Sequence, residues 1–137
     1  MKKYEPKIIT MTMSALRGEK PVIDWLTKNG YVEMVMFAQA VNGSYKSFSW
    51  LKKNNHKELA QVVEALEGND IARDWLMENG CKEYAAMTDA AQGSKSAIEW
   101  LAKYGYTELG LLAHQIYLIE KYSGSKSLLD LFRPKFF

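Results

Sequence analysis

Tryptophan recurs at positions 25, 50, 75 and 100, and this even spacing marks one short structural unit copied in tandem. Repetition restricts the fold more than any other feature, because every copy has the same local preferences and must bury its apolar face against a neighbouring copy. The same register carries Gly18, Gly43, Gly68 and Gly93; Leu26, Leu51, Leu76 and Leu101; and Glu33, Glu58, Glu83 and Glu108. The chain of 137 residues therefore divides into a half-repeat (1–17), repeats 18–42, 43–67, 68–92 and 93–123, and a half-repeat with tail (124–137), forming one domain.

Within each 25-residue unit, counted from its leading glycine, position 13 holds Gly30, Asn55, Gly80 or Gly105. Glycine and asparagine most readily take the left-handed conformation that closes a helix. Two helices per unit follow. Helix A carries its apolar stripe at positions 5, 8, 9 and 12, at helical spacing, for example Val22, Trp25, Leu26 and Asn29. Ser44, Asn69, Ser94 and Ser125 are placed to cap it, and Pro21 suits the opening turn of the first copy. Helix B buries positions 17, 20, 21 and 24, such as Met34, Phe37, Ala38 and Val41. Small residues stand where helices approach closely, at position 18 and at position 23 (Ala40, Ala65, Ala90); Gln115 breaks the second series. Residues before Gly18 read as an orphan helix B, with Ile9, Thr12, Met13 and Leu16 on its core face. Gly124-Ser125-Lys126-Ser127 repeats Gly93-Ser94-Lys95-Ser96 and opens an orphan helix A in which Leu131 replaces tryptophan. Ten short helices and no sheet are expected. Such helices are too short to be stable alone, so stacking must hold them.

This pattern resembles the α-solenoid proteins built from tandem helix pairs, in the broad style of tetratricopeptide and HEAT arrays, although the unit is shorter and the tetratricopeptide pattern is absent. It is also similar to uncharacterised bacterial proteins with a Trp-Leu, Asn-Gly-Tyr, Glu-Leu repeat, here Trp25-Leu26, Asn29-Gly30-Tyr31 and Glu108-Leu109. The resemblance implies an all-α, right-handed α-solenoid of four helix pairs with a half-repeat at each end. No function comes with it.

Chemistry is sparse. The tryptophans could form a stacking ladder, but each precedes leucine within an apolar stripe, which points to core packing. Copies of the position-16 glutamate stand one helix spacing apart, about 8–10 Å, too far to share a cation, and a carboxylate in a first turn favours the helix dipole. His56 and Cys81 share the corner position that Tyr31 and Tyr106 occupy elsewhere; as neighbours one repeat apart they are poorly placed for a thiol–imidazole pair. No phosphate loop, paired cysteine motif or His-x-x-x-His spacing occurs. No catalytic residue, metal site or cofactor is expected.

Charge narrows the partner class. A net +2 is too small for a general polyanion binder, although the ends are basic and the third unit is acidic. No apolar stretch reaches membrane-spanning length, the start lacks a signal-type apolar run, and a single cysteine suits a reducing compartment, so a cytoplasmic protein is expected. The residues that vary most in kind are on helix B opposite its core, and from them Met36, Gln39, Gln61, Glu64, Asp89, Leu111 and His114 form the expected binding stripe for a protein or peptide. The expectation is a non-catalytic interaction module or scaffold, with no nucleic-acid or membrane partner. Basic ends, an acidic middle and Phe136-Phe137 allow a weak homodimer. The alternative is an enzyme or small-ligand sensor with a pocket near His56, Cys81 and Tyr106.

Overall fold

The computed structural model describes residues 3–122. These form nine α-helices: α1 (Pro6–Leu16), α2 (Lys20–Lys28), α3 (Val32–Val41), α4 (Tyr45–Lys53), α5 (Lys57–Leu66), α6 (Asp70–Glu78), α7 (Lys82–Ala91), α8 (Lys95–Lys103) and α9 (Thr107–Tyr122). No strand occurs among the described residues. Odd-numbered helices are the B type and even-numbered ones the A type. The tenth expected helix, its cap Ser125 and the tail lie outside the described residues.

Local chemistry sets each boundary. Ser44, Asn69 and Ser94 accept from backbone N–H groups in the first turns of α4, α6 and α8, and Pro21 lies in the first turn of α2. At the other end of α2, α4 and α6, the amides of Asn29, Asn54 and Asn79 donate to the carbonyls of Trp25, Trp50 and Trp75, each at 2.8 Å. The following residue turns left-handed. Asn55, with φ 65°, is the only non-glycine residue among those described to do so. The next N–H, from Tyr31, His56, Cys81 or Tyr106, then returns to the carbonyl of Leu26, Leu51, Leu76 or Leu101 at 2.8–2.9 Å. This is the Schellman closure, and it satisfies carbonyls a helix end would otherwise leave open. Position 12 is therefore an exposed C-cap, which corrects its expected place on the buried stripe: helix A ends one residue earlier.

Packing makes the two helix types unequal. Each odd helix packs against the odd helices before and after it, and α1 also packs against α9, so α1, α3, α5, α7 and α9 form a closed circuit of five. An open solenoid has no contact between its first and last helices. Each even helix braces the two odd helices that flank it in sequence, and no even helix touches another. Burial follows this division: α3 buries seven residues, whereas α2 buries Leu26 alone.

The core is the expected helix-B stripe, including Met34, Phe37, Val62, Val63, Met87, Leu112 and Ile116. Each brace adds one anchor, since Leu26, Leu51, Leu76 and Leu101 are all 0% exposed. Burying such a side chain stabilises by roughly 1.5–3 kcal/mol. The tryptophans do not share that place. Trp50, Trp75 and Trp100 are half-buried against the core, as expected in part, whereas Trp25 is 36% exposed, which corrects its core assignment. Adjacent residues on a helix point about 100° apart, so a thin brace can aim only one of the Trp-Leu pair inward, and leucine takes that direction. Trp25, Trp50 and Trp100 instead lie flat on Tyr31, His56 and Tyr106, with ring centroids 6.3, 5.6 and 5.8 Å apart. The ammonium groups of Lys7 and Lys57, from the preceding unit, stand 4.9 and 5.0 Å from the rings of Trp25 and Trp75. Trp25, Trp50 and Trp100 thus cover the A–B corner of their own unit, and Trp25 and Trp75 also meet a lysine of the unit before.

Candidate functional site

The seven residues of the expected binding stripe are spread over α3, α5, α7 and α9, and α4, α6 and α8 stand in the grooves between those helices. Two are engaged by the braces. The Gln39 carboxamide oxygen accepts from the Ser47 hydroxyl of α4 at 2.7 Å. The Asp89 carboxylate accepts two bonds from the Arg73 guanidinium of α6, at 2.8 and 2.7 Å, a bidentate geometry. Met36 is half-buried against the core. Gln61 and Glu64 share a hollow of 240 Å³ with Lys52, Asn55 and Lys57. Leu111 and His114 share a different and larger one.

That larger hollow is the groove between α1 and α9, with a volume of 660 Å³ and walls formed by Met13, Arg17, Leu111, His114, Gln115, Leu118 and Ile119. Its lining is mostly apolar, and two of its leucines stand open: Leu111 is 52% and Leu118 37% exposed. Gln115 fixes the floor. Its amide donates to the Met13 carbonyl at 2.9 Å, and its oxygen accepts from Arg17 at 2.8 Å. Met13, Arg17, Leu118 and Ile119 are wall residues the stripe reading missed. The available signal was Gln115 itself, the polar residue in a column of alanines, together with the apolar run of α9 past the end of its repeat.

A second cavity, of 150 Å³, opens near the N-terminal ends of α1, α7 and α9, between Tyr4, Ile9, Glu83, Tyr84, Tyr106 and Glu108. Tyr106 is one of the three residues of the alternative pocket; His56 and Cys81 are not among its walls. His56 lies on Trp50. Cys81 is buried, with its thiol turned toward the Asn79 carbonyl at 3.6 Å. Burial, with Glu83 and Glu58 nearby, pushes that thiol up from its ordinary value, which favours the unreactive thiol over the thiolate.

The four glutamates stand in the first turns of α3, α5, α7 and α9, where the helix dipole favours negative charge. Glu33 is only 3% exposed and accepts from the Tyr4 hydroxyl at 2.8 Å, tying the segment before α1 to α3. Burial, then the Glu33 hydrogen bond and charge, push the Tyr4 phenol up; burial, then Glu83, push up Tyr84. Both phenols stay protonated through neutral pH. Among the described residues no group of three or more His, Cys, Asp or Glu side chains is placed to hold a metal, and no helix is long and apolar enough to cross a membrane. Protein-family models, curated proteins and solved structures were all compared with this chain, and none matches it.

Proposed function

We propose that this chain is a non-catalytic protein-interaction module that receives a protein or peptide partner on the outer face of its B helices, at Leu111 and His114 above all. The observation that carries the reading is the apolar α1–α9 groove, a broad open hollow with two exposed leucines and a polar rim of Arg17 and His114. Grooves of this chemistry accept the apolar face of an amphipathic helix. The small net charge argues against a nucleic-acid partner, and the single buried cysteine suits a reducing, cytoplasmic setting. The same reading takes the domain as four 25-residue pairs, wound right-handed, with a half-repeat at each end; the Schellman closures recurring at Leu26, Leu51, Leu76 and Leu101 support the count of four.

A photo-reactive amino acid placed at Leu111, or at the exposed Lys53 of α4 as a control, tests the reading in native lysate. Expected is covalent capture of one protein from Leu111 and none from Lys53, with capture reduced at least about tenfold by His114→Asp, since interface energy concentrates in few residues. Capture from Lys53 alone would move the interface to the braces. A turnover reaction dependent on His56 or Cys81 would replace this reading with the enzymatic one.

A further inference from the structure

One core column of the repeat breaks at the third unit. Position 17, the first core residue of each B helix, is Met34, Leu59 or Leu109 in three units and Tyr84 in α7. Tyr84 is only 5% exposed, yet its hydroxyl has no hydrogen-bond partner among the described residues. Every fully enclosed side-chain polar atom of those residues is paired. The Tyr84 hydroxyl therefore keeps an opening, and the 150 Å³ cavity that Tyr84 lines supplies it. Burying a hydroxyl without a partner costs free energy, a cost that the apolar residues of the other three units avoid.

The other walls have a consistent chemistry. Three phenol rings border the cavity, those of Tyr4, Tyr84 and Tyr106. The Tyr4 hydroxyl is bonded to Glu33 and one face of Tyr106 lies on Trp100, so both rings are held in place. Glu83 and Glu108 stand in the first turns of the packed helices α7 and α9, about 8–10 Å apart. Neither enters an ion pair among the described residues. Lys3, an exposed residue, is the one cation among the described walls, set against these two carboxylates. Carboxylates so spaced cannot share a bare metal ion, whose ligands lie roughly 2–2.6 Å away. They flank a space for a larger cationic group instead. Ring faces attract such a cation, carboxylates accept its N–H groups, and a neutral phenol oxygen has lone pairs to accept another.

We propose that the cavity at the N-terminal ends of α1, α7 and α9 binds an alkylammonium group. Glu83, Glu108 and the Tyr84 oxygen accept from its nitrogen, and its short chain lies among Tyr4, Tyr106 and Ile9. Volume sets the size: a cavity of 150 Å³ matches one of about that volume that takes up benzene, and butylammonium, the end of a lysine side chain, is of similar bulk. The site makes no use of the α1–α9 groove and stands whether or not a partner occupies it.

The test titrates the full-length chain, at fixed ionic strength and neutral pH, with n-butylammonium, n-butanol and butyrate, following the Tyr84 and Tyr106 ring signals by NMR. Expected is a saturable shift of both rings by butylammonium, with an affinity at least about tenfold above that of butanol, and no saturable shift by butyrate. Tyr84→Phe, which removes only the unpaired hydroxyl, should weaken butylammonium binding about threefold as read at Tyr106. Glu83→Gln should weaken it about tenfold, and Glu78→Gln on α6 should leave it unchanged. Nα-acetyl-lysine methylamide separates two sources of the group. Binding as tight as that of butylammonium assigns it to a lysine side chain of another protein, binding at least about tenfold weaker assigns it to a free amine, and either supports the site. Equal binding of butanol and butylammonium overturns the inference, leaving an apolar hollow. A preference for butyrate overturns it in favour of an anion at the helix N-termini, and no saturable shift up to about 100 mM overturns it outright. None of these results touches the interaction reading, which capture from Leu111 tests separately.

Discussion

At the junctions between repeats, α3, α5 and α7 carry buried alanines at position 23, Ala40, Ala65 and Ala90, and no side-chain hydrogen bond is made from them. At the seam between α1 and α9 the same position is Gln115, which bonds the Met13 carbonyl and receives Arg17. The two contacts solve different problems. A junction joins helices one unit apart in sequence, so chain connectivity already limits the register; the alanines pack closely within the helices, and residues just past the helix ends tie two of the junctions, Asn42 to the Leu16 carbonyl and Gln92 to the Ala65 carbonyl, each at 3.0 Å. The seam joins helices about a hundred residues apart in the chain, where loop closure is costlier and packing alone leaves α9 free to slide along α1. There the tie comes from within the helix, from the Gln115 that takes the place of the alanine. The lesson is that a residue breaking a repeat pattern can mark the place where the array meets itself.

The sharpest way to break this comparison is to test whether the circuit of odd helices, junctions and seam alike, depends on its braces at all. Leu76→Ala removes a fully buried anchor of a regular brace and should destabilise by about 2–5 kcal/mol in urea melts. A cost below about 1 kcal/mol would mean that the braces contribute little and that the circuit of odd helices stands without them.

Exchanging the two kinds of contact sharpens it further. Ala65→Gln forces a long side chain into a close-packed junction and should cost about 1–3 kcal/mol. Gln115→Ala deletes the polar latch and should cost about 1–2 kcal/mol. The second change should also speed hydrogen exchange in α1 and α9 more than in α5, because opening begins at the seam. Uniform acceleration across all helices would show that the seam is no weaker than a junction.

The smallest effect concerns the residue that closes a repeat from within. Asn55 holds φ 65° without being glycine, so Asn55→Gly should be neutral or mildly stabilising and Asn55→Ala should cost on the order of 1 kcal/mol. Equal melting of the two variants would remove backbone conformation as the reason for Asn at that site.

Much of the fold was legible because its causes are local. The caps Ser44, Asn69 and Ser94, the left-handed turns and the helix-B core stripe each depend on a few neighbouring residues, and repetition printed every signal several times. That leucine and not tryptophan would be fully buried was not legible, because hydropathy cannot separate two adjacent apolar residues on a thin helix; the direction of the brace relative to the circuit chose Leu51 over the half-buried Trp50. The binding stripe was read as one surface because spacing along a helix says nothing of what lies between helices. Gln39 and Asp89 were taken by braces, while Leu111 and His114 were left facing an open groove.

By itself, then, the sequence determined the unit: its length, its two helices, the residues that begin and end them, and the leucine and helix-B columns that must be buried. Those are short-range consequences of capping, backbone conformation and amphipathic spacing. Only the tertiary structure decided that the units close on themselves, because closure depends on the small rotation between successive packed helices, accumulated around the circuit, and no single unit encodes that sum. Closure in turn brought Met13 beside Gln115 and made the α1–α9 groove, a site whose two walls lie at opposite ends of the chain.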